Sequence, residues 1–222
     1  MSIKDNLHTI KNSLPNHVEL IAVSKTKPNS AILEAYNAGQ RAFGENKIQE
    51  MAEKHEFLPK DIEWHMIGHL QSNKIKYMAS FVHLIHGVDS LKKLQEINKQ
   101  AFKHHRTINC LLQLKIASET TKFGMSIPEI ETLLNSEELK NLKNIQITGF
   151  MGMASFTDNI NIIRTEFKSL KTASNLLKKY IAFNFNPKTF SMGMSGDYQI
   201  AIEEGSTMVR VGSAIFGIRN YT

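Results

Sequence analysis

The sequence predicts an α/β fold, and three observations carry that prediction. Short apolar runs alternate with longer segments of helical periodicity along all 222 residues, the pattern of a parallel sheet covered by helices. The runs are continuous and do not alternate apolar with polar, as expected for strands buried on both faces. Eight strands can be read this way, each but the last followed by a helix. Eight units favour a closed barrel over a doubly wound sheet. A doubly wound sheet carries a glycine fingerprint after its first strand; this chain has Ser24-Lys25-Thr26-Lys27-Pro28 there. The expectation is one (β/α)₈ barrel of the TIM type over residues 1–222, with an extra N-terminal helix.

The elements follow in order. Ile3, Leu7, Ile10 and Leu14 recur at helical spacing and predict the extra helix over 3–13. Strand one covers 18–24, with a helix from Asn29 to the stop at Gly39. Strand two is 41–43; Gly44-Glu45-Asn46 turns the chain into a helix through Lys54. Strand three covers 62–67 and its helix 71–80; strand four covers 82–88, and Asp89-Ser90 can cap a helix through Lys103. Strand five is 107–116, and Pro128 opens a helix to about Leu139. Strand six is 144–151, followed by a long helix from Asp158 to near Tyr180. Strand seven is 188–192, with a helix from Asp197 to Glu204 stopped by Gly205. Strand eight is 207–211, and a short helix includes 214–216. No linker or compositional shift marks a second domain.

Composition narrows the class. Hydrophobic content of 41% and charged content of 22% are those of a globular protein, and no apolar run is long enough to span a membrane. The first residues lack the apolar core of a signal peptide, so the cytoplasm is the expected compartment. The single cysteine, Cys110, lies in an apolar run and reads as a buried small hydrophobe. The net charge of +6 is spread along the chain. Its densest patch, Lys99, Lys103, His104, His105 and Arg106, falls at a helix end, where cations favour the dipole. No interleaved aromatics suggest a nucleic-acid partner.

The chemistry gathers at the two ends of the strand series. Strands seven and eight both break into glycine and serine: Ser195 and Gly196 after one, Gly212 and Ser213 after the other. Glycine permits close backbone approach to an anion and serine adds a hydroxyl. Two such endings on the last two strands match the phosphate site of an eight-fold barrel. Closure would bring them beside strand one, which ends in Lys25. A phosphate site next to a strand-end lysine suggests pyridoxal 5′-phosphate (PLP) held as a Schiff base. Lys27, two residues on, competes for that role. Arg210 sits between Val209 and Val211 in an apolar strand. A buried guanidinium needs partners, either a structural ion pair or a ligand atom that it faces as a permanent donor. No metal site is expected. His65 and His69 are four apart on a strand, not a helix, and His83 and His86 have opposite parity.

Several motifs together resemble one family. They are Val23-Ser24-Lys25-Thr26-Lys27-Pro28, Phe43-Gly44-Glu45-Asn46, Trp64-His65-Met66-Ile67-Gly68-His69-Leu70-Gln71-Ser72-Asn73-Lys74, Ser191-Met192-Gly193-Met194-Ser195-Gly196-Asp197 and Val209-Arg210-Val211-Gly212-Ser213-Ala214-Ile215-Phe216-Gly217. They are similar to the YggS/PROSC family of PLP homeostasis proteins, whose barrel is like the N-terminal domain of alanine racemase. The resemblance covers nearly the whole chain. It implies Lys25 as the Schiff-base lysine, Arg210 as partner of the pyridine nitrogen, Ser195, Gly212 and Ser213 at the phosphate, and Asn46 near the cofactor.

Three functions compete on this reading. One is a monomeric PLP carrier or regulator without substantial turnover, with PLP-dependent apo-enzymes as possible recipients. Another is a PLP-dependent racemase or lyase; those enzymes bring a second base over the cofactor from another domain, and this chain stops soon after strand eight. A sugar-phosphate enzyme fits the phosphate site but leaves Lys25 and Arg210 without joint purpose. Lys122, in a loop, is a candidate second contact.

Overall fold

The computed structural model describes residues 2–119 and 123–217; Lys122 and residues 218–222 lie outside them. Eight parallel strands close into a barrel in sequence order. They are β1 Glu19–Val23, β2 Ala42–Glu45, β3 Glu63–Met66, β4 Leu84–Val88, β5 Ile108–Gln113, β6 Ile145–Met151, β7 Phe185–Ser191 and β8 Met208–Val211. The closing pair is β1 with β8, in the register Ile21 to Arg210 and Ala22 to Val211. The α/β barrel expected from the sequence is the observed fold.

The predicted N-terminal helix is α1, Ile3–Ser13. Ser2 Oγ accepts the Asp5 N–H at 3.1 Å and the Asp5 carboxylate accepts the Ser2 N–H at 3.2 Å, a reciprocal cap. Its buried face, Leu7 and Ile10, packs against α2 (Asn29–Asn37) and against α9 (Ser213–Phe216), the helices that flank the β1–β8 seam. The other helices are α3 Ile48–Phe57, α4 Leu91–Lys103, α5 Ile127–Asn135, α6 Glu137–Lys140, α7 Ile160–Leu177 and α8 Tyr198–Glu203.

Four expectations need correction. Only a 3₁₀ stretch, Ser72–Tyr77, follows β3. Ile75 is its one buried residue, too small an apolar stripe to hold a full helix. The helix expected after Pro128 breaks in two at Ser136, whose hydroxyl caps α6 through the Leu139 N–H at 3.3 Å. Strand β5 stops at Gln113, because Met125 folds back and gives its N–H to the Gln113 carbonyl at 2.8 Å. Strand β7 starts at Phe185 and not at Lys188, since Phe185 pairs with Ile147 ahead of an irregularity in the β6–β7 ladder that accommodates Pro187.

Two cores result. One lies between strands and helices and holds Phe43, Trp64, Phe150 and Phe167, among others. The other fills the barrel with Ile21, Ala42, Leu84, Leu111, Met151 and Met208. Leu20 and Ala22 belong to the first core and Ile21 to the second, so parity along a strand decides what faces the interior. Among the described residues no helix is long and apolar enough to cross a membrane.

Candidate functional site

A cavity of about 550 Å³ opens at the C-terminal end of the barrel, the end where barrels of this kind place their sites. Lys25, Lys27, Asn46, Ser195, Arg210, Gly212 and Ser213 all line it. The β1–β8 pairing is what joins the first of these to the last. A Cβ on Gly212 would stand 3.2 Å from both the Cβ and the carbonyl oxygen of Val23. Glycine therefore lets the loop after β8 lie directly on the end of β1, just before the turn that carries Lys25.

Arg210 is 4% exposed. Its Nη1 donates to the Ser191 carbonyl at 2.7 Å and to Ser191 Oγ at 2.5 Å, and its Nη2 to the Gly152 carbonyl at 3.2 Å. No carboxylate forms an ion pair with it among the described residues. Burial lowers its pKa to about 10, against the pull of the Asp197 charge, so it stays a cation at neutral pH. The arginine is thus held by neutral acceptors where it lines the cavity, with the Asp197 charge acting on it. Ser191 continues the chain of contacts inward: its Oγ is 2.9 Å from His86 Nδ1, and His86 Nε2 is 3.0 Å from His65 Nδ1. Burial drives both imidazoles well below their ordinary pKa, so both are neutral.

β1 ends at Val23 and Lys25, expected at the strand end, lies in the turn that follows, which is clamped from below. Ser24 Oγ donates to Glu45 Oε1 at 2.6 Å. Lys54 Nζ, reaching in from α3, donates to the Ser24 carbonyl at 2.9 Å, to Glu45 at 2.8 Å and to Glu50 at 2.7 Å. Glu50 in turn accepts the Thr26 N–H at 2.5 Å. Thr26 has φ 64, a left-handed conformation costly for a β-branched residue. Both neighbours of Lys25 are therefore fixed by one charged cluster.

Burial raises the Glu45 carboxyl from 4.5 to about 7, although Lys54 and Ser24 pull it down. The folded chain then keeps a proton that the unfolded chain has lost between those two values. Stability should fall as pH rises through that window and level off above it. Urea denaturation of Glu45→Gln should show a smaller loss between pH 5 and 8 than the wild type. Equal losses in the two proteins would mean that Glu45 does not titrate there.

The rim is built by the loops after β7 and β8. Ser195 Oγ accepts the Gly212 N–H at 3.1 Å and ties one loop to the other. Asp197 accepts the Met194 N–H at 2.5 Å. Gly193 has φ +93, and a Cβ there would fall 2.8 Å from Tyr198 Cα, so only glycine makes this turn. Lys27 donates to the carbonyls of Phe216 at 2.9 Å and Gly217 at 3.2 Å, at the end of α9. Its ammonium fastens the loop.

Sequence reasoning missed the far wall: His69, Gln113, Phe123, Met153, Phe156 and Met194. Gln113 donates to the Phe123 carbonyl at 3.0 Å, and the His69 and Phe123 rings lie 4.5 Å apart. Phe156 is 97% exposed. The available signal was Phe123, Phe156 and Met194, apolar residues in loops that follow strands.

Residues 1–220 match the family model described as alanine racemase, N-terminal domain. The chain is 39% identical to the pyridoxal phosphate homeostasis protein of Haemophilus influenzae, with 100% of this chain and 98% of that one covered. Identity to the protein of the same name from Escherichia coli K12 is 37%, over 94% and 88% of the two chains. Among solved structures, PipY of Synechococcus elongatus without PLP superposes with a TM-score of 0.90 at 36% identity, covering 97% of this chain and 100% of that one. PipY with PLP bound gives 0.87 at 35%, with the same coverage. An alanine racemase of Clostridium difficile shares the fold, with a TM-score of 0.78 at 17% identity, and this chain spans 60% of it.

Proposed function

The chain belongs to the pyridoxal phosphate homeostasis family, and on that premise we propose that its barrel binds PLP and serves PLP supply without substantial turnover. One observation carries the reading: a single cavity is lined by Lys25, by Arg210 held on neutral acceptors, and by the Ser195, Gly212 and Ser213 rim. The donor set fits the cofactor part by part. When bound, PLP supplies an aldehyde, a ring nitrogen and a phosphate. Lys25 is the amine for the first, Arg210 the donor for the second, and the rim hydroxyls and backbone N–H groups hold the third. Asn46 completes the wall. The solved structure of PipY with PLP bound is one in which a similar fold holds this ligand.

Arg210 also bears on turnover. A guanidinium gives no proton to a ring nitrogen, so it leaves PLP a weak electron sink for carbanion chemistry. The remaining parts of the reading are a single domain over 1–222, a monomer, a cytoplasmic setting and PLP-dependent apo-enzymes as recipients, with no nucleic acid or membrane partner.

Titration of the protein with PLP and with pyridoxal tests the site. Two lost charge-assisted hydrogen bonds correspond to about 3 kcal/mol, roughly a hundredfold in affinity. PLP should bind tighter by that factor, and Arg210→Ala should weaken PLP retention. Equal affinity for the two ligands would refute the phosphate rim. In the same preparation alanine and serine should undergo only marginal stereoinversion; robust racemisation would overturn the carrier reading.

A further inference from the structure

The opposite mouth of the barrel holds an arrangement that PLP binding does not use. Glu63 opens β3 and His65 follows two residues later, so both point to the barrel interior. His83 immediately precedes β4, where its N–H meets the Trp64 carbonyl at 2.9 Å. Strand pairing, not sequence spacing, thus brings His83 to His65, and their ring centroids lie 5.2 Å apart. Glu63, His65 and His83 each offer a ligand atom within 4.8 Å of the other two.

We propose that Glu63, His65 and His83 form a binding site for a divalent transition metal, with zinc the best match, at the N-terminal mouth of the barrel. Two imidazoles and a carboxylate are an established zinc donor set.

A second, independent observation is His65 Nε2. His65 is fully buried, and this nitrogen has no hydrogen-bond partner. A buried polar atom without a partner calls for one. The other ring nitrogen, Nδ1, is engaged by His86. If His86 Nδ1–H donates to Ser191 Oγ, His86 Nε2 accepts from His65 Nδ1–H. His65 Nε2 then carries a lone pair, the state a metal ligand needs. The His86 contact is the supporting hydrogen bond that orients a ligating imidazole.

The rim side chains supply the rest. A tetrahedral zinc with bonds of 2.0–2.1 Å sets its ligands roughly 3.3 Å apart, so Glu63 and His83 must turn inward onto the fixed His65. Glu63 is half-buried and His83 exposed, which leaves them room to do so. Glu19, which opens β1, adds a carboxylate near Glu63. Of the cations at this mouth, Arg41 is paired with Asp61 at 3.0 Å and Lys11 donates to the Gly39 carbonyl at 3.1 Å.

Calorimetric titration of the full chain with zinc chloride, with cobalt(II) as the visible spectroscopic probe, tests the site. Wild type should take up one tight equivalent, with cobalt absorption bands of four-coordinate character, and zinc should raise its Tm. His83→Ala and Glu63→Gln each alter a side chain at the rim, so both variants should fold. Each should lose at least tenfold in zinc affinity and should show no Tm rise at the zinc concentration that saturates wild type. Absence of tight binding in wild type would overturn the proposal. So would zinc binding that survives unchanged in His83→Ala, which would assign the metal to other histidines.

Discussion

Borohydride reduction of the PLP-loaded protein, followed by peptide mapping, should place a phosphopyridoxyl group on Lys25 and leave Lys27 unmodified. Both lysines line the cavity, and Lys27 is tied to its rim. Lys27 already donates to two carbonyls at the end of α9, and capture of an aldehyde would break both contacts, about 1 kcal/mol each. Lys25 lies in the turn just beyond β1, and the pairing of β1 with β8 brings that turn to the cavity that Gly212 and Ser213 also line, so an amine there meets a ligand whose phosphate sits on that rim. Lys25→Ala should abolish the Schiff-base absorption of the loaded protein entirely, while Lys27→Ala should keep it. Weak binding anchored by the phosphate should persist in Lys25→Ala. Label found only on Lys27, or on no lysine, would remove Lys25 from its role.

The parts of the protein legible in the sequence are those written in a local pattern. Barrel strands are apolar runs, and Ser195, Gly212 and Ser213 stand out as glycine and serine at strand ends and Arg210 as a charge in an apolar strand, so these residues, which line one cavity, could be singled out by reading along the chain. Lys25 required one further step, the closure of β1 onto β8. What stayed hidden depends on side chains meeting across elements. Nothing local shows that Lys54 leaves the surface of α3 to lie under Ser24, or that Glu45 sits wholly buried beneath the cavity. The histidines illustrate the same limit: comparing neighbours in sequence pairs His65 with His69 and His83 with His86, whereas the sheet pairs His65 with His86 and His83. The 3₁₀ stretch at Ser72–Tyr77 went unread because its polar residues fit a solvated helix face and a short connector equally well.

Lys54→Met should be among the most damaging single changes outside the cavity itself. Lys54 is 6% exposed and Glu45 is fully buried, and removing one partner of a buried ion pair costs about 3–5 kcal/mol. The loss should depend on pH in a defined sense. With its carboxyl raised to about 7, Glu45 already carries a proton at pH 5, so the substitution strands a buried carboxylate only at the higher pH and destabilisation should be smaller at pH 5 than at pH 8. The same substitution frees the Ser24 carbonyl and the Glu50 carboxylate, and Glu50 is what holds Thr26 at positive φ. Lys25, lying between Ser24 and Thr26, then loses its fixed setting, and PLP retention should fall even where the variant remains folded. Adding Glu45→Gln to Lys54→Met removes the uncompensated charge and should restore much of the stability and flatten its pH dependence. It leaves Ser24 and Thr26 without the ammonium bridge, so PLP retention should stay low. Urea denaturation at the two pH values, with PLP titration of each folded variant, separates the two effects. A Lys54→Met protein within about 1 kcal/mol of wild type at pH 8 would show that the cluster is dispensable for stability. Unchanged PLP affinity in that variant would show that Lys25 is positioned without it.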